Sequence, residues 1–157
     1  MKKIVLRICE IVSLVCLAAF IMFVSADEKI SDVNPKQLCK EVISVADTDE
    51  LTKRDKLFIK KQYSVDASAY EYICHYSSDS VMDVREYLIV KTDKENADIL
   101  IDAIEKVRDE KQKLFESYAP EQSGLLLASS LVYEKGFLIY AVGENADEVL
   151  IKFRDNL

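Results

Sequence analysis

Two hydrophobic periods run along this chain, and the switch between them is sharpest in Tyr87 to Phe115. There Tyr87-Leu88-Ile89-Val90, apolar at every position, gives way to a stripe of Ala97, Leu100, Ile104, Val107, Leu114 and Tyr118, the spacing of one helix face. A strand apolar on both faces belongs inside a sheet. The pattern therefore predicts an interior strand over Glu86 to Thr92, then a long helix capped by Thr92 or Asp93. Lys111 marks the one polar interruption of the stripe. The opposite face, Asp98, Asp102, Glu105, Asp109 and Glu110, is charged, and solvation explains it.

The opening of this stretch recurs in Phe137 to Arg154. With Lys94 left unmatched, both copies carry Leu-Ile and then Glu-Asn-Ala-Asp, and Ala97, Leu100, Ile101 and Ile104 align with Ala146, Val149, Leu150 and Phe153. The reading is a duplicated strand-and-helix unit. Ahead of the first copy, Tyr70, Tyr72, Cys74 and Tyr76 alternate with Glu71, Ile73 and His75, which predicts a strand with three tyrosines on one face. Leu131 to Glu134 and Phe137 to Val142 read as a hairpin closing at Gly136, and Asn145 to Phe153 as the last helix.

Nearer the N-terminus, Asn34 and Pro35 open a helix that carries Leu38, Val42, Ile43 and Val45. Asp47 to Glu50 reads as a turn, and Thr52 to Gln62 as a short helix with a positive exposed face. Pro120 ends the long helix, and Glu121 to Ala128 adds a short helical turn. The expected fold is α+β: a four-stranded, mainly antiparallel sheet with helices on one face, a ββα-ββα pseudo-repeat preceded by helices.

Length and composition fit one core. The chain has 157 residues, half of them hydrophobic, with only three glycines and two prolines, so a single domain over 35–157 is expected. Residues 1–26 read as a targeting segment. Lys2, Lys3 and Arg7 precede an apolar run, Ile11 to Val24, and Val24-Ser25-Ala26 meets the charged Asp27-Glu28-Lys29. A cleaved signal peptide is the reading, with a retained N-terminal membrane anchor as the alternative, because the apolar run falls short of the roughly 20 residues that span a bilayer. Val15 before Cys16 argues against lipid attachment there. Residues 27–34 form a linker. Either way the body lies outside the cytoplasm, secreted or tethered to the outer face of the membrane, and meets the bilayer only through that segment.

Charge narrows the partners. Lys2, Lys3 and Arg7 against Glu10 give the first 26 residues +2, which leaves −9 of the overall −7 to the remainder. An acidic body without a basic run is a poor match for phosphate backbones, so nucleic acid is not an expected partner. Cys39 and Cys74 are the cysteines of the body. They read as two small buried residues, with one disulfide as the alternative in an oxidising compartment. Two thiols and one histidine assemble no zinc site, and no calcium loop, phosphate loop or nucleophile elbow occurs, so neither a metal nor a cofactor is expected.

His75 is the only histidine, but alternation puts it on the opposite sheet face from Cys74, so the two do not make a nucleophile pair. A sheet-face role is expected for it. Glu86 on the strand and Arg108 on the helix behind it are expected to pair, fixing helix against sheet or orienting an anion-binding arginine. Tyr70, Tyr72 and Tyr76 form a candidate contact face, and Tyr118, at the end of the helical stripe, joins them.

Glu86 ahead of an apolar strand, Arg108 late in the long helix, the run Phe115-Glu116-Ser117-Tyr118-Ala119-Pro120-Glu121-Gln122 and a hairpin turning at Gly136 are together distinctive. The set resembles a family of bacterial exported domains catalogued as a domain of unknown function, number 4358, many of them on lipoproteins of Gram-positive type. The resemblance runs from about Val33 to the C-terminus. It implies an exported α+β domain and carries no established activity, so it is silent on chemistry. The expected function is a non-catalytic exported or cell-envelope module that binds an envelope protein or a ligand through the open sheet face or a helix–sheet cleft. The alternative is an extracytoplasmic enzyme with its site near Glu86 and Arg108.

Overall fold

The computed structural model describes residues 12–17 and 30–157. Apart from an exposed helical stretch at 12–17, the targeting segment expected over 1–26 lies outside the described residues. No helix among them is long and apolar enough to cross a membrane. From residue 35 the chain runs α1 (Pro35–Ile43), β1 (Leu51–Arg54), α2 (Lys56–Tyr63), a 3-10 turn (Ala67–Ala69), β2 (Tyr72–Ser78) and β3 (Glu86–Lys91). It continues with α3 (Lys94–Phe115), α4 (Pro120–Leu127), β4 (Ser130–Glu134), β5 (Phe137–Val142) and α5 (Ala146–Asp155).

The strands form one sheet in the order β1-β2-β3-β5-β4, every neighbour antiparallel. β3 lies at the centre between β2 and β5, and its first five residues are buried, as a strand apolar on both faces requires. Asp93 caps α3 by accepting from the Asn96 backbone N–H, and Asn34 caps α1 by accepting from Lys36. Lys135 and Gly136, both with positive φ, close the β4–β5 hairpin.

Two expectations about the fold are corrected. The sheet has five strands, because Leu51–Arg54 pairs with β2 as an edge strand and α2 starts only at Lys56, capped by Asp55. With one apolar residue in four, β1 has no periodicity of its own; it forms by completing the free edge of β2. The helices also cover both faces. α2, α3 and α4 bury Ile59, Leu100, Ile104 and Leu126 against Leu88, Val90, Leu138 and Tyr140. α1 and α5 bury Leu38, Val42, Val149 and Phe153 against Ile89, Phe137 and Ile139. The sheet is therefore the shared wall of two cores.

Both copies of the internal likeness form a strand followed by a helix, and Ala97, Leu100 and Ile104 are buried like Ala146, Val149 and Phe153. The first helix goes to one face and the second to the other, so the two copies do not pack alike on the sheet.

Cys39 and Cys74 form a disulfide that ties α1 to β2 across 35 residues of sequence, in place of the two separate buried thiols expected. Both side chains belong to the core on the α1 face, where α1 brings Cys39 over the strand.

Candidate functional site

Glu86 opens β3 on the face covered by α2 and α3, opposite Ser77 and diagonal to His75 on β2. It is 2 % exposed, so its charge is out of water and needs several partners. They come from three elements. His75 Nε2 lies 2.8 Å from Glu86 Oε1, and the Tyr63 hydroxyl donates to the same oxygen. Gln62 Nε2 donates to both carboxylate oxygens at 3.1 and 3.0 Å. From α3, Lys111 Nζ stands 3.6 Å from Oε2.

Burial is the strongest single influence on Glu86 and pushes its pKa up. The hydrogen bond and charge of His75, then Lys111 and the Tyr63 hydroxyl, together outweigh it and hold the carboxyl below its ordinary value. Tyr63 is driven well above the ordinary phenol value by burial, then by the Glu86 charge. His75 is wholly buried, with the Phe58 ring edge-on at 5.6 Å, and its Nδ1 has no hydrogen-bond partner among the described residues.

Above this network lies a cleft of about 530 Å³ between α2, the C-terminal half of α3 and the β2–β3 loop. The buried Glu86 and Phe115 line it with the half-buried Gln62, Phe58 and Lys111, and the exposed Val81 and Leu114 form its rim toward solvent. Val81 is 88 % exposed and Leu114 59 %. The other cations around the cleft are mostly engaged. Arg54 pairs with Asp79 at 2.8 Å, donates to the Ser77 and Ser78 carbonyls and lies over the Phe58 ring at 4.4 Å. Arg85 is held by Asp83 and Asp47 at 2.8 and 2.9 Å.

The residues singled out in the sequence fall in different places. Glu86 is the centre of the site, but its expected pairing with Arg108 does not form. Arg108 faces Glu105 and Asp109 of its own helix at 3.9 and 3.6 Å, and Lys111, three residues on, is the cation turned toward Glu86. The polar interruption of the helical stripe was the signal for Lys111. The three tyrosines do not share an open face. Tyr72 and Tyr76 lie on the α1 side, but Tyr70 precedes β2 and a bend at Glu71, and is buried in the core on the opposite side. Tyr118 is half exposed with its ring 5.4 Å from Phe115, and it does not line the cleft.

Sequence reasoning missed Tyr63 and Gln62, neighbours on a helix assigned only a positive face. It also missed the burial of His75. Within the Phe-Glu-Ser-Tyr-Ala-Pro-Glu-Gln run, Phe115 enters the core, Pro120 begins α4, and Gln122 Oε1 accepts from the Val84 backbone N–H at 2.9 Å, fixing the loop at the cleft mouth. Among the described residues, no group of three or more His, Cys, Asp or Glu side chains is placed to hold a metal ion.

No curated protein and no solved structure matches the chain. A family match covers residues 44–143, from just after α1 to the end of β5, and so takes in every residue of the Glu86 network. By that match the chain belongs to the family described as Domain of unknown function (DUF4358).

Proposed function

We propose that this chain is an exported, non-catalytic binding module of the cell envelope, and that its ligand enters the cleft over Glu86. The contrast between rim and lining carries the reading. Val81 and Leu114 leave apolar surface in water at a concave mouth, the usual mark of a binding site, while the ionisable groups beneath are already committed to one another. The cleft does hold groups with displaced pKa values, as an enzyme site would, but the directions run the wrong way. Glu86 is held ionised and Tyr63 protonated, each moved further from neutrality, whereas acid–base catalysis needs a pKa near the working pH. The disulfide removes both body cysteines as nucleophiles. Export is supported by the order of charge, apolar run and small residues in 1–26, and by a disulfide that suits an oxidising compartment.

The test uses the full chain and anilinonaphthalene sulfonate, a fluorescent probe of apolar clefts. Native protein should enhance its fluorescence, and V81D/L114D should weaken binding at least tenfold with the far-UV spectrum unchanged. Undiminished binding in that variant would sink the cleft reading. Turnover of an ester, glycoside or peptide substrate that vanishes in E86Q would install the enzyme alternative.

A further inference from the structure

On the other side of the sheet, α1, β1 and β2 border a second hollow of about 580 Å³, where, unlike in the cleft, all the charged residues have one sign. Lys36, Lys40 and Lys53 line it, with Tyr72, Tyr76 and Ser44, and not one Asp or Glu does. Lys36 and Lys40 lie one turn apart on α1, while Lys53 is the cross-strand partner of Tyr76, its ammonium 6.0 Å from the ring centroid. None of the three lysines makes an ion pair among the described residues. Glu41, next to Lys40, is engaged with Lys152 at 3.8 Å, and Glu71, next to Tyr72, with Lys91 at 3.1 Å.

This concentration of positive charge stands out against the rest of the chain. Seven basic against five acidic residues give 35–64 a charge of +2, whereas ten against nineteen give 65–157 a charge of −9. Three uncompensated ammonium groups around one concavity repel each other until an anion joins them. The hollow is also held in shape: the Cys39–Cys74 disulfide fixes α1 to β2, and β1 is hydrogen-bonded to β2. Burial, then the neighbouring Tyr76, raises Tyr72 above the ordinary phenol value, so its hydroxyl remains a donor at neutral pH.

We propose that this hollow is a binding site for a phosphate ester, whose charged group meets Lys36, Lys40 and Lys53 while its organic part rests on Tyr72 and Tyr76. A phosphate monoester offers close to two charges and three acceptor oxygens, which suits three lysines and two hydroxyls better than a single carboxylate does. The volume is far larger than one phosphate needs, so it admits a polyol or sugar attached to it. The same monoester occurs in a soluble phosphate ester and in the headgroup of phosphatidic acid. Lys36 and Lys40 lie outside the family match, and the proposal is independent of the cleft.

The full 157-residue chain in zwitterionic micelles, with its disulfide intact, is titrated with glycerol 3-phosphate at constant ionic strength, glycerol serving as the uncharged control, and read by amide chemical shifts. Saturable shifts confined to α1, β1 and β2 are expected, with affinity at least tenfold lower in K36Q/K40Q/K53Q. The three side chains are exposed, so that variant keeps its fold, which its unshifted remaining amides verify. Phosphatidic acid doped into the micelle assigns the source: the same shifts at lower concentration point to a headgroup, their absence to a soluble ester. No saturable shift with either ligand, or equal affinity in the triple variant, overturns the proposal.

Discussion

At the scale of single residues, Glu86 decides the site. A carboxylate at 2 % exposure persists only because His75, Tyr63, Gln62 and Lys111 surround it, and removing one member of such a network leaves the others buried without a counterpart. Glu86→Gln should cost about 3 kcal/mol at pH 7, read from the urea midpoint. Its pH dependence has a definite sign. The folded pKa lies below the unfolded one, so the contribution is complete above the ordinary carboxylate value and is withdrawn as pH falls through the folded pKa. Wild type and Glu86→Gln should therefore converge in stability toward low pH; a gap that stays constant would mean the charge of Glu86 contributes nothing. Glu86 itself was legible in the sequence as a lone acid at the head of an apolar strand. Its partners were not. The choice of Lys111 over Arg108 depends on the rotation of α3 against the sheet, and Tyr63 and Gln62 arrive on a helix whose neighbours in space are far away in sequence.

Among the elements, the junction of β5 and α5 is closely packed. A Cβ built on Gly143 would clash with the Tyr87 hydroxyl, which is held in place by donating to Asn145 Oδ1 at 2.7 Å. Asn145 in turn donates to the Val45 carbonyl, so one contact couples β3, the turn into α5 and the segment after α1. Gly143→Ala should destabilise by about 1–3 kcal/mol through overpacking. Tyr87→Phe in the same chain should recover part of that loss by removing the clashing oxygen, a coupling that a double-mutant cycle measures directly. Additive effects would show that the turn relaxes without Tyr87. Elements with their own period were legible here: α3 from its stripe, β3 and β5 from apolar runs, the hairpin from Gly136. β1 was not, because its four residues pair only by borrowing the edge of β2. Nor does strand sequence reveal which face its helix will cover; α3 and α5 follow nearly the same pattern and go opposite ways.

For the whole molecule, that division of helices makes the sheet serve two cores, and only one of them is closed by a covalent bond. The α1 face is joined across 35 residues by Cys39–Cys74, a loop whose closure is worth about 4 kcal/mol on chain-entropy grounds. A digest made without reductant should contain the Cys39 and Cys74 peptides linked, and Cys39→Ser/Cys74→Ser should lower the urea midpoint accordingly. Where the loss falls is the more informative question. α1 packs on the α5 side alone, whereas β3 and β5 are shielded from both sides, so releasing α1 strips one face and leaves the Leu88, Val90 and Leu138 layer under α3. Amide exchange in the double variant should therefore accelerate first in α1 and β2, by local opening, while the central strands and α3 exchange only with global unfolding. If α1 and α3 lose protection together, the sheet transmits the loss from one face to the other. The two cores then form a single cooperative unit, and the disulfide stabilises the cleft over Glu86 as much as the hollow it borders.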